Sequence, residues 1–164
     1  MLAETATEAA QRFGDRAAFI TDEGLVLSYA EFNALADEVA VGLAERGVGE
    51  GDVVALVLPT VPEHFIAYVA AAKLGALTAA VNPKLVQAER SAVLRAANPR
   101  LVVCTADLVP TGDVESDQII VMEPAMEPDG VLAGLRLPGQ APPPLETDLE
   151  RPIAIVFTSG TTGT

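Results

Sequence analysis

Near the end of the chain, Thr158-Ser159-Gly160-Thr161-Thr162-Gly163 gathers four hydroxyl side chains and two glycines into six residues. Such a run is suited to holding phosphate, because glycines let the main chain approach an anion closely and aim N–H groups at it, while Ser and Thr hydroxyls add donors. The preceding residues, Pro152-Ile153-Ala154-Ile155-Val156-Phe157, read as a strand. A strand that empties into a glycine-rich loop is the context a phosphate loop needs and an ordinary Gly/Thr turn does not. The run lacks the lysine of G-x-x-x-x-G-K-[ST] and the spacing of G-x-G-x-x-G, so neither of those nucleotide-binding loops fits.

The other candidate residues carry less chemistry. His64 stands alone on a helical stretch without a partner at useful spacing, which favours a solvated or helix-packing role over acid–base work. Cys104, the only cysteine, lies in an apolar run, so it reads as a small buried hydrophobe; a disulfide framework is excluded and an intrachain metal cluster has too few ligands. Tyr29 follows a helix cap and reads as packing. Asp113, Glu115 and Asp117 read as a solvated loop face with no metal-ligand geometry. No metal ligand and no catalytic side chain is therefore assigned.

The elements that must position the loop follow from periodicity. Ala3 to Phe13 favours a helix ended by Gly14-Asp15, and Ala17 to Thr21 with Leu25 to Leu27 reads as a hairpin. Ser28 and Glu31 fit a capping box ahead of Phe32, Leu35, Ala36, Val39 and Leu43 at helical spacing, predicting a helix to about Arg46 closed by Gly47. Val53 to Leu58 is a continuous aliphatic run, as in a strand buried on both faces of a parallel sheet. Thr60 and Glu63 predict a second capping box, with Pro62 in the first turn of a helix to Leu74-Gly75.

Leu77 to Val81 predicts the next strand, Glu89 to Ala97 a helix stopped by Asn98-Pro99, and Leu101 to Cys104 a further strand. This β-α-β-α-β order predicts an α/β fold, a largely parallel sheet with right-handed crossovers covered by helices. Residues 1–107 read as the α/β subdomain, 108–151 as an irregular connector with one apolar run at Gln118 to Met122, and 152–164 as strand plus phosphate loop. Ala141 to Glu150, with its three successive prolines, reads as exposed connector. The Ile153 to Phe157 strand is expected to lie apart from the sheet, its natural neighbours being downstream.

Composition excludes several classes of function. Half of the 164 residues are hydrophobic and 20% are charged, which suits a packed core and not a disordered chain. A net charge of −13 opposes a nucleic-acid backbone or an anionic membrane surface. The nearest approach to an apolar span, Phe65 to Val81, is broken by Lys73 and Gly75, and no basic segment precedes an apolar one at the N-terminus, so a cytoplasmic location is the default expectation.

Thr158 to Gly163 after an Ile-Ala-Ile-Val-Phe strand resembles the signature phosphate loop of the adenylate-forming, AMP-binding superfamily of acyl-CoA and aryl-CoA synthetases, peptide-synthetase adenylation domains and luciferases. Ser28-Tyr29-Ala30-Glu31-Phe32, Gly51-Asp52-Val53-Val54-Ala55, Asn98-Pro99-Arg100-Leu101-Val102-Val103 and, for acyl-CoA synthetases in particular, Lys73-Leu74-Gly75-Ala76 through Val81-Asn82-Pro83-Lys84-Leu85 are similar to the family's opening segments in the same order. The resemblance implies an N-terminal part of the large domain, ending in the phosphate loop. The adenine, ribose and catalytic-lysine motifs, the acyl pocket and the C-terminal subdomain would lie downstream.

It also implies an acid–thiol ligase that joins a small-molecule carboxylic acid to ATP with Mg2+, releases pyrophosphate and passes the acyl group to coenzyme A. Thr158, Ser159, Thr161 and Thr162 would contact the phosphates, with Gly160 and Gly163 permitting the loop's shape. Its partners would be the acid, ATP, CoA and the rest of its own polypeptide. The alternatives are transfer to a carrier-protein thiol and a complete, non-catalytic binding or assembly module; a chain stopping one residue after the loop is an expectation against the module.

Overall fold

The computed structural model describes residues 2–112 and 114–157. The element order is α1 (Leu2–Phe13), β1 (Ala17–Ile20), β2 (Val26–Ser28), α2 (Tyr29–Glu45), β3 (Val53–Val57), α3 (Pro62–Lys73), β4 (Leu77–Ala80), α4 (Gln87–Ala97), β5 (Leu101–Cys104), β6 (Ile119–Val121) and β7 (Ala154–Ile155). β1 and β2 form an antiparallel hairpin of their own. The other strands make one sheet in the order β6-β5-β3-β4-β7, and every pair in it is parallel. No helix among the described residues is long and apolar enough to cross a membrane.

The apolar run of β3 explains the layering. Successive side chains of a strand face opposite ways, so Val54 and Leu56 enter a core with α2 and α3, through Leu35, Val39, Leu43, Ile66 and Ala70. Ala55 and Val57 enter a second core with α4, through Leu94 and Ala97, where Cys104 is also buried. Helices therefore cover both faces, as the continuous hydrophobic pattern requires. The hairpin closes one side of the first core with Leu25 and Leu27, and Phe19 stands 5.3 Å from Phe32 and 5.5 Å from Phe65.

Local signals act as expected at α2. The Glu31 N–H donates to Ser28 Oγ at 3.1 Å, and the Ser28 N–H donates to Glu31 Oε2 at 2.8 Å. Accepting the Ser28 N–H first, and the Ser28 hydroxyl at 2.8 Å second, holds the Glu31 carboxyl below its ordinary value. Gly47 and Gly75 follow α2 and α3 at φ +80 and +70, where side chains are strained. Asn98 takes the left-handed cap of α4 at φ 45.

Three expectations are corrected. The capping box predicted from Thr60 and Glu63 does not form: Val61 occupies the cap without a side-chain bond, and Glu63 is buried with its Oε1 accepting the Ala125 N–H at 2.7 Å. A tertiary donor outcompetes the local one once the carboxylate is out of water. Helix α4 begins at Gln87, two residues early, where Glu89 reaches back to accept the Val86 N–H at 3.2 Å. The last strand does not lie apart: Ala154 and Ile155 pair with Thr78 and Ala79 of β4, and the Thr78 N–H donates to the Ile153 carbonyl at 3.0 Å. This pairing satisfies main-chain groups that β4 would otherwise leave at an edge.

The stretch after Asp107 contributes to the core despite its Pro- and Gly-rich composition. It supplies β6 and then buries Val131, Leu132 and Leu135 beside α2. Arg136 pairs with Glu38 at 2.9 Å and donates to the carbonyls of Pro128 and Val131 at 3.0 and 3.2 Å, which ties this turn to the helix. At the other end of α3, Lys73 donates to Asp37 at 2.7 Å and Asn33 at 3.0 Å, joining α2 to α3.

Two outcomes are expected. A Cβ on Gly42 would stand 1.6 Å from the Leu135 carbonyl oxygen, so Gly42→Ala is expected to lose about 1–3 kcal/mol in urea unfolding, against the gain of about 1 kcal/mol that helix propensity alone gives. Burial and the nearby Asp107 charge push the Cys104 thiol up to about 11, so at neutral pH it is a protonated, inaccessible group. Iodoacetamide should leave the native protein unmodified by mass and label it once urea unfolds it.

Candidate functional site

All five strands of the sheet run the same way, so their carboxyl ends gather at one end. From there β3 leads into α3 on one face, and β4 leads into α4 on the opposite face. Adjacent parallel strands whose connections diverge to opposite faces leave a crevice between them, the usual ligand position in open α/β sheets. Here it is a cleft of about 280 Å³, lined by Leu58, Thr60, His64 and Phe65 on the β3 side and by Val81, Asn82 and Pro83 on the β4 side.

The cleft is mostly apolar, with Thr60, His64 and Asn82 as its polar groups and no charged side chain in its lining. Burial holds the His64 imidazole below its ordinary value, so it is neutral at pH 7. Its ring centroid lies 5.5 Å from that of Phe65, on the first turn of α3. The packing role read from the sequence is thus present, and so is a cleft position that one-dimensional spacing did not reveal. Asn82 turns the chain, its Oδ1 accepting the Lys84 N–H at 2.9 Å. The cleft lining carries no carboxylate, so the acidity of the chain does not extend into it.

β7 brings the chain to this same end. Its pairing of Ile155 with Ala79 runs parallel to β4, and Phe157, two residues on, packs into the α4-side core. The sequence-predicted site residues Thr158, Ser159, Gly160, Thr161, Thr162 and Gly163 follow at once and lie outside the described residues. The structure therefore fixes the strand that leads to them and its neighbour β4. Sequence spacing missed His64 and Asn82 as a pair; the available signal was that each follows a strand in adjacent βα units.

A larger cavity of about 510 Å³ lies elsewhere, between α1, Lys73 at the far end of α3, and Pro142 to Leu145. Size does not make it the site, because Lys73 is already satisfied by Asp37 and Asn33 and works as a tie between helices. Among the described residues no group of three or more His, Cys, Asp or Glu is placed to hold a metal ion.

Comparison with known proteins agrees with the geometry. A family model described as "AMP-binding enzyme" matches residues 6–164. The 4-coumarate–CoA ligase 2 of Petroselinum crispum is 30% identical over 93% of this chain and 29% of its own length. The long-chain-fatty-acid–CoA ligase FadD13 of Mycobacterium tuberculosis is 31% identical over 84% of this chain and 28% of its own length. The chain thus spans less than a third of the length of these curated relatives. Among solved structures, the inhibitor-bound N-terminal domain of FACL13 from M. tuberculosis superimposes with a TM-score of 0.81 at 27% identity, over 99% of this chain and 42% of that one. The N-terminal subdomain of NpsA from Klebsiella oxytoca, in complex with 3-hydroxybenzoyl-AMSN, gives 0.79 at 26% identity, over 98% and 38%. With a matching family model over nearly its whole length, a parallel sheet of the same build and a crevice at the carboxyl ends of its strands, the chain belongs to the AMP-binding enzyme family, whose members are adenylate-forming enzymes.

Proposed function

We propose that this chain is the N-terminal part of an ATP-dependent acyl-CoA synthetase, which activates a carboxylic acid as its acyl-adenylate and passes the acyl group to coenzyme A. The observation that carries the reading is the run Thr158 to Gly163, four hydroxyls and two glycines directly after a strand paired to β4 at the crevice. CoA ligases among the relatives support coenzyme A as the acceptor. Those relatives are named for 4-coumarate, a long-chain fatty acid and 4-chlorobenzoate, so the acid itself is left unassigned.

The donor set fits a polyphosphate. Hydroxyls of Thr158, Ser159, Thr161 and Thr162 and the main-chain N–H groups around Gly160 and Gly163 offer hydrogen bonds to phosphate oxygens, and the carboxylate-free crevice beside β7 adds no repulsion. A carboxylate is a poor electrophile until its oxygen becomes part of a good leaving group, and ATP supplies that group with pyrophosphate as the product. The chain's share is to hold the phosphates in line for attack at the α-phosphorus and to stabilise charge as it moves onto pyrophosphate. Mg2+ would assist at phosphate oxygens; no protein ligand for it is assigned among the described residues.

Two results are expected. In the full-length enzyme, losing one charge-assisted bond costs roughly 1.5–3 kcal/mol, so Thr161→Val and Thr162→Val should each slow acid-dependent ATP–pyrophosphate exchange by about one to two powers of ten with unchanged melting. Gly160→Val should do more damage and Thr164→Ala little; full activity in both Val variants would leave only main-chain N–H groups in the role. The 164-residue chain alone should show background exchange, since the acid and thiol sites are expected downstream. Acid-dependent exchange by it would overturn that division of labour.

A further inference from the structure

Among the described residues β6 forms the edge of the sheet farthest from β7, and the stretch that carries it is acidic, with Arg100 and Arg136 at its two ends. From Leu101 to Leu135 the sequence has seven acidic residues and no Lys, Arg or His. Glu115, Asp117, Glu123, Glu127 and Asp129 are all exposed there. Apolar side chains stand among them, with Val121 51% and Met126 60% exposed. A groove of about 240 Å³ runs between Val121 and Met122 on one side and Leu132 and Leu135 on the other.

The main chain of β6 is oriented for pairing on that side. The Met122 N–H donates to the Cys104 carbonyl at 2.9 Å. Hydrogen-bonding direction alternates along a strand, so Val121, one residue earlier, turns its N–H and C=O away from β5. Open edges accept an added strand, with main-chain bonds giving affinity and a pocket for an alternate side chain giving selectivity.

We propose that the open edge of β6 docks an extended, Lys- or Arg-rich segment of a partner protein, with an apolar residue of that segment seated in the groove beside Val121. Charge selects this occupant. A second copy would set its own carboxylates against these, and an acidic or neutral strand gains nothing from them, whereas a basic strand is both attracted and held in register. The inference is independent of the ligase reading, because three strands separate β6 from β7.

The test uses a fluorescent peptide alternating lysine and valine, with lysine–proline and glutamate–valine peptides as controls, followed by anisotropy. Saturable binding by lysine–valine is expected, weakening between about 0.01 and about 0.1 M salt as the Debye length falls from about 30 to about 10 Å. Lysine–proline, equally charged but lacking every second main-chain donor and held by its prolines away from strand geometry, should bind about tenfold more weakly or worse, the loss of roughly one hydrogen bond. Val121→Pro removes the outward donor without touching the bonds to β5, and should cost a similar factor. Because it could also perturb folding, Glu123→Gln/Glu127→Gln is the second variant, expected to weaken binding and flatten its salt dependence. No saturable binding, equal binding of the lysine–proline or glutamate–valine peptide, or wild-type affinity in both variants would overturn the proposal. So would self-association of the protein through this edge in sedimentation.

Discussion

The constraint on which the structure depends is the two-sided burial of β3. Val54, Ala55, Leu56 and Val57 are fully out of water, and each of the two valines and the leucine contributes up to about 1.5–3 kcal/mol relative to exposure. A strand with no polar face cannot sit at a surface, so helices must cover both sides and β3 must be central. Once α3 covers one face and α4 the other, the chain has to leave adjacent strands in opposite directions. The crevice at Leu58, His64 and Asn82 is the geometric consequence. The hydrophobic pattern and the position of the crevice are thus one fact seen at two scales.

Around that frame a few polar ties set the helix positions. Lys73 is 8% exposed, and burying an ammonium is tolerable only with partners; Asp37 and Asn33 supply them from α2. Glu63 does the same for the Ala125 N–H, and Glu38 with Arg136 fixes the turn that carries Leu132 and Leu135 into the core. Each bond joins segments far apart in sequence. They decide which of several well-packed arrangements is adopted, a task that nonspecific apolar burial performs poorly.

The charge of the molecule is unevenly spread. Carboxylates crowd the β6 edge, while the crevice lining has none and its histidine is kept neutral by burial. A net −13 is a statement about the surface average. For a site proposed to meet a polyphosphate, the local sign matters more, because screening confines the influence of distant exposed charges to about 10 Å at 0.1 M salt.

By itself the sequence determined the elements and their type. Ser28 and Glu31, Pro62, Gly47, Gly75 and Asn98 mark helix ends through bonds within a few residues, and the β3 run announces a central parallel strand through its lack of a polar face. The run after Phe157 that is proposed to hold phosphate is likewise a local matter of glycines and hydroxyls, and it lies outside the described residues. What only the tertiary structure decided are the choices in which distant groups compete. The Ala125 N–H drew Glu63 away from the cap it could have formed with Thr60. The edge of β4 drew Ala154 and Ile155 into the sheet. Adjacency of β3 and β4 set His64 and Asn82 across one cleft. Local spacing holds no record of these, because each depends on which main-chain donors and acceptors are left unsatisfied after the chain has folded.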